Sequence, residues 1–88
     1  MTALTFGRIV MTIQEFRQSK DYAEAMNKIK NYSKGFTFTL NYSEIPKEKA
    51  NALRIIMQDC IKDGIVESVS FGLALNGEQT SETFKKLL

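Results

Sequence analysis

Histidine is missing from this chain, tryptophan is missing too, and its 88 residues hold one cysteine and one proline. Without histidine the chain lacks the commonest general base, the usual activator of a serine or cysteine nucleophile, and the commonest transition-metal ligand. The single cysteine, Cys60, excludes an intramolecular disulfide and a multi-cysteine zinc site. No glycine-rich nucleotide loop is present. These absences point to binding rather than to catalysis, with no enzyme activity, no cofactor and no metal expected.

Long apolar runs are also lacking. No stretch nears the roughly 20 residues of a membrane span. The patch Ile9-Val10-Met11 is interrupted by Thr12 and Gln14 too soon for a signal peptide. A cytoplasmic protein with no membrane partner is expected. Charge of one sign is not in excess: twelve basic residues against ten acidic ones leave +2, short of the dense positive field of a strong non-specific nucleic-acid binder. With 43% hydrophobic and 25% charged residues, the composition is that of a globular chain rather than a disordered one. Its length suits one domain, 1–88, which buries about two-thirds of its unfolded surface and so has a thin stability margin.

What is present is strand, helix, strand. Phe36 to Tyr42 alternates apolar and polar residues, the period of a half-buried strand. Phe36, Phe38, Leu40 and Tyr42 share the apolar face; Thr37, Thr39 and Asn41 share the other. Pro46 suits a helix start and Gly64 a stop, so a central amphipathic helix is predicted over 46–63. Its stripe is Ala50, Leu53, Ile56, Met57, Cys60 and Ile61. After Gly64, Val69, Phe71, Leu73 and Leu75 alternate with the small residues Ser68, Ser70, Gly72 and Ala74, a second strand over 65–75. Asn76-Gly77 signals a turn. Thr80 or Ser81 can then cap a short C-terminal helix edged by Phe84, Leu87 and Leu88.

Upstream, Thr12-Ile13-Gln14-Glu15 is a capping-box pattern. Ile13 and Phe16 lie nearly opposite Tyr22, Met26 and Ile29 on a helical projection. A break near Ser19-Lys20-Asp21 between two helices over 12–32 explains this, as does one continuous helix held between two partners. Residues 1–11 read either as a first strand or as an extension ahead of Met11. The fold class is α/β (or α+β), with a sheet of two or three strands whose pairing is parallel or antiparallel. A third strand would come from residues 3–10 or from a second chain.

Lys34-Gly35-Phe36-Thr37-Phe38 has the order basic, glycine, aromatic, small, aromatic. It resembles the start of the RNP1 motif of RNA-recognition motifs. In that family the aromatics stack on bases while alternate residues enter the core. Here the alternates are Thr37 and Thr39, so the phenylalanines are expected in the core instead. A strand followed by Ile45-Pro46 and an amphipathic helix is similar to the first half of ribbon-helix-helix DNA-binding dimers. That resemblance implies a paired strand from a second chain, with Thr37, Thr39 and Asn41 reading base edges. It also requires a second helix after Gly64, where this sequence has strand period.

Lys28, Lys30 and Lys34, with Asn27 and Asn31, form a basic end to the N-terminal helical region. It suits either phosphate contact or solvation against the helix dipole. Asp59 and Asp63 are spaced i, i+4, but two carboxylates make a weak metal signal. Ile55 falls outside the apolar stripe, and with Tyr22 or Phe84 it would form an interaction surface. The leading expectation is a small non-enzymatic interaction module that binds a larger protein as adaptor, inhibitor or regulator. The other is a dimeric DNA-binding regulator. Two strands with open edges and abundant large apolar side chains also lead to the expectation of a homodimer.

Overall fold

The computed structural model describes residues 3–6 and 9–88, with side chains from residue 12 onward. Two strands, β1 (Ala3–Phe6) and β2 (Ile9–Thr12), pair antiparallel as a sheet of their own, and β1 lies against the main helix. Residues 3–10 therefore do not supply the third strand of the main sheet.

Thr12 caps α1 (Ile13–Arg17), its hydroxyl accepting from the Glu15 N–H at 3.1 Å. The helical region then breaks where Ser19 offers the backbone an alternative. Its hydroxyl donates to the Phe16 carbonyl at 2.6 Å and accepts from the Tyr22 N–H at 3.2 Å, closing α1 and opening α2 (Lys20–Lys30). Two helices form, not one, and the break turns Phe16, Met26 and Ile29 into one core.

The main sheet is antiparallel, in the order β3 (Thr37–Leu40), β5 (Gln79–Lys86), β4 (Val66–Leu73). Between β3 and β4 the chain forms a short 3-10 turn (Tyr42–Glu44) and α3 (Lys47–Lys62), which Gly64 closes at a left-handed φ of +72°. The predicted C-terminal helix does not form. Residues 79–86 are instead the central strand, pairing Phe84 with Phe38 on one side and Ser68 on the other. The turn before them explains this. Ala74 and Glu78 close a hairpin through Ala74 N–H to Glu78 O at 2.8 Å. Within it Gly77 takes a φ of +84° and the Asn76 side chain accepts from the Glu78 N–H. A chain reversed so tightly returns along β4, and Thr80 and Thr83 suit a strand.

Helices α1, α2 and α3 cover one face of the sheet. The core joins Phe16, Met26 and Ile29 to Ala52, Ile56, Met57 and Cys60 of α3 and to Ile65, Val66 and Phe84. Cys60 is fully buried, its thiol beside the Met26 sulfur, and burial pushes its pKa up to about 11. Of the predicted α3 stripe, Leu53 is only half-buried and Ile61 is exposed. Lys86 is buried at 3% exposure, and its ammonium donates to the carbonyls of Lys30 (3.0 Å), Tyr32 (2.8 Å) and Leu88 (2.7 Å). It thereby satisfies carbonyls that the end of α2 leaves without helical partners.

Candidate interaction surface

The sheet face away from the helices carries Thr37 and Thr39 of the polar set singled out in the sequence, while Asn41 lies just past the end of β3. Thr37, Thr39 and Asn41 are all exposed. Thr37 pairs across the ladder with Lys85, which pairs with Glu67. Thr39 pairs with Thr83, their hydroxyls 2.8 Å apart and hydrogen-bonded to each other. Lys28 and Lys30 are exposed on α2, on the helix-covered side, and Lys34 lies in the connection to β3. Lys28 and Lys30 therefore do not share a face with the threonines. After Gly64 the chain is strand, which departs from the ribbon-helix-helix arrangement.

Phe38 is half-buried and stacks on Phe84 with ring centroids 5.5 Å apart. Phe36 is 46% exposed and packs on Tyr32 at 4.9 Å. Phe38 thus belongs to the core side and Thr37 to the open side, opposite to the orientation of the RNA-recognition motif.

Phe84 has no exposed surface, so it belongs to no interaction surface; a central strand under α3 hides it. Ile55 is half-buried against the core. Tyr22 packs edge-on against Phe16 and donates its hydroxyl to Asp59 Oδ2 at 2.7 Å. Arg17 grips both oxygens of the same carboxylate, Nε to Oδ2 and Nη2 to Oδ1, each at 2.8 Å. Asp59 is thus a tie between α1, α2 and α3 rather than half of a metal pair with Asp63.

That tie titrates. The hydrogen bonds from Arg17 hold the Asp59 carboxyl below its ordinary value against the opposing effect of burial, with Tyr22 helping. Burial and the Asp59 hydrogen bond push the Tyr22 hydroxyl up to about 12. A folded value below the unfolded one, near ~3.9 for an aspartate, gives stability that is full above that pH and lost as pH falls through the folded value. Asp59→Asn is expected to melt at lower urea than the wild type at neutral pH, and the gap is expected to close below about pH 4. A gap unchanged down to about pH 3 would show that the carboxylate is not charge-paired.

Two clefts flank α3. One, of about 360 Å³, is lined mainly by Phe16, Ala25, Pro46, Ala52, Leu53 and Ile56. The other, of about 370 Å³, includes Tyr42, Asn51, Arg54 and Gln79, with the Arg54 guanidinium 4.3 Å above the Tyr42 ring and donating to the Gln79 carbonyl at 3.3 Å. Burial, then the charge of Glu82, pushes the Tyr42 hydroxyl up to about 12.

Among the described residues, β4 holds three of the large exposed apolar side chains. It pairs, among the described residues, with β5 alone, which leaves its other edge free of a strand partner there along eight residues. Val69 is 48% exposed, Phe71 62% and Leu73 59%, with Leu75 fully exposed at the hairpin tip. Phe71 pairs with Glu82, whose carboxylate meets Ser68 at 2.6 Å and Tyr42 at 3.5 Å on the helix-covered side. Phe71 therefore points to that side but is left uncovered. Gly72 lets β4 approach β5: a Cβ there would lie 2.7 Å from Ser81 Oγ and 3.1 Å from Thr80 Oγ1. Proteins usually protect such an edge with lysine, proline or brevity. The other edge, β3, is only four residues long. β4 has neither lysine nor proline, carries one charge, Glu67, and bulges between Ser68 and Ser70.

Sequence alternation placed Val69, Phe71, Leu73 and Leu75 on one face, but the bulge between Ser68 and Ser70 breaks that phase: Ser68 opposite Phe84 and Phe71 opposite Glu82 both face the helices, which takes Val69 off that side. Only the strand order reveals that they lie on an edge. Among the described residues no helix is long and apolar enough to cross a membrane. No protein-family model, curated protein or solved structure matches this chain.

Proposed function

We propose that this chain is a small non-enzymatic interaction module of the cytoplasm that binds a larger protein as adaptor, inhibitor or regulator, by taking an extended segment of it onto the free edge of β4. One observation carries this reading: an eight-residue edge strand presents Val69, Phe71 and Leu73, each about half exposed or more. Strand addition suits such an edge. Backbone hydrogen bonds supply affinity and alternate side chains supply selectivity.

Capture from the source cell with immobilised wild type and with Phe71→Lys tests it. Phe71 is exposed, so the variant is expected to melt as the wild type does. A protein retained by the wild type and lost from Phe71→Lys is the expected result. The same proteins on both would overturn the reading. So would salt-sensitive retention of duplex DNA that is lost with Thr37→Ala and Thr39→Ala rather than with Phe71→Lys, since that would favour readout by the sheet face.

A further inference from the structure

We infer that the polar cleft between α3 and the start of β5, about 370 Å³ in volume, binds a small carboxylate ligand that Arg54 grips. No residue of β4 lines it, so it stands apart from the proposed docking edge. Its volume falls at the small end of the range for ligand pockets, about 300–1,000 Å³. That suits a metabolite-sized molecule. Helical spacing builds one wall. Lys47, Ala50, Asn51 and Arg54 stand at i, i+3, i+4 and i+7 of α3, which is one helix face, and all four line the cleft.

Arg54 is prepared for such a ligand. The ladder from β3 to β5 stops at Leu40 opposite Glu82, and beyond it the Gln79 carbonyl accepts from Arg54 Nη2 at 3.3 Å. The guanidinium also lies 4.3 Å over the Tyr42 ring. Held at two points, it loses little freedom when a ligand arrives. Among the described residues it has no acidic partner: Asp59 is taken by Arg17, and Glu82 by Ser68 and Tyr42. Its Nε and Nη1 make no hydrogen bond to the described residues and remain for a ligand.

The other lining residues agree. Lys47 and Arg54 are opposed by one acidic residue, Glu78, which leaves the lining with net positive charge. Asn51, one turn from Arg54, supplies a donor and an acceptor, and Ile45 and Ala50 offer apolar surface to the body of the ligand. A planar carboxylate matches a planar guanidinium with two parallel hydrogen bonds. Glu82, beside the Tyr42 hydroxyl, weighs against a more highly charged anion such as phosphate.

Titration of isotope-labelled protein with benzoate, from about 0.1 to 20 mM, a range spanning millimolar dissociation constants, tests this through amide NMR shifts. Saturable shifts are expected at Asn51, Arg54 and Gln79. Benzamide, neutral and of the same shape, is expected to bind about tenfold more weakly or worse, as is benzoate to Arg54→Gln. Lys28→Gln, on the exposed part of α2, is expected to bind as the wild type does. Lys47→Gln guards against a loss of fold in Arg54→Gln. Lys47 is exposed, so that variant is expected to melt as the wild type does and to bind benzoate about two- to threefold more weakly. Absence of saturable shifts up to about 20 mM overturns the inference. So does benzamide binding as well as benzoate, benzoate binding equally to Arg54→Gln, or inorganic phosphate shifting the same amides at lower concentration than benzoate. Each of these outcomes leaves the reading of β4 standing.

Discussion

Phe84→Ala is expected to destabilise the domain by about 3–5 kcal/mol, the range for truncating a buried phenylalanine. Phe84 is fully buried, lies on the central strand between Phe38 and Ser68, and stacks on the Phe38 ring. Alanine would leave a void under α3 that β5, paired on both edges, is poorly able to close. A domain of this length has only about 4–13 kcal/mol of stability to lose, so much of the variant is expected to be unfolded at 37 °C. Urea unfolding followed by circular dichroism measures it. Phe71→Ala is the control, since Phe71 is exposed and its truncation is expected to change stability by about 0.5 kcal/mol or less. A Phe84→Ala melt within a couple of degrees of the wild type, roughly what 0.5 kcal/mol produces, would show that residues 79–86 are not the centre of the sheet.

Lys86→Met is the second large effect. Methionine keeps the apolar stem but removes all three donors, leaving the carbonyls of Lys30, Tyr32 and Leu88 without the ammonium they share. An unpaired buried polar group costs about 1–3 kcal/mol. Water can reach part of this site, so a loss of at least about 2 kcal/mol is expected for the set. Lys86→Arg is expected not to rescue it, because a planar fork cannot aim donors at three carbonyls gathered round a point charge. Hydrogen exchange should quicken first at the end of α2, near Asn31 and Tyr32. A variant as stable as wild type, with unchanged exchange there, would show that the lysine merely fills space.

Local chemistry made several elements legible. Ser19 marks the helix break because its hydroxyl competes with the helical backbone. Pro46 and Gly64 bracket α3 because one lacks an N–H and the other adopts positive φ. The phase of Phe38 and Thr39 follows from strand alternation. The mixed α/β class and central helix agree with these readings. The stretch Gln79–Lys86 was not legible as a strand because its core-side positions include Glu82 and Lys86. Both are held by distant partners, Ser68 and Tyr42 for the first and three carbonyls for the second, so no apolar alternation is written there. Phe84, Leu87 and Leu88 at helical spacing then mimicked an amphipathic turn. The edge position of β4 was hidden for a related reason. Period reveals which side chains share a face, whereas coverage of that face depends on where α3 and β5 come to rest.

The order of strands in space also bears on how the chain acquires its shape during synthesis. Among the described residues β3 and β4 do not pair with each other, and each pairs only with β5. A nascent polypeptide that has not yet emerged past residue 78 can hold its helices but no ladder in the main sheet, and its apolar strand residues stay open to chaperones and to one another. When 79–86 appear, they must join the nearby β4 through a hairpin and reach β3 through pairs such as Thr39 and Thr83, 44 positions apart. The local zipper is fast and the distant one slow, since closing long loops delays non-local pairing. Maturation is therefore expected to run as a hairpin that then captures β3, and truncation before residue 79 should yield an aggregation-prone helical intermediate rather than a smaller version of the domain.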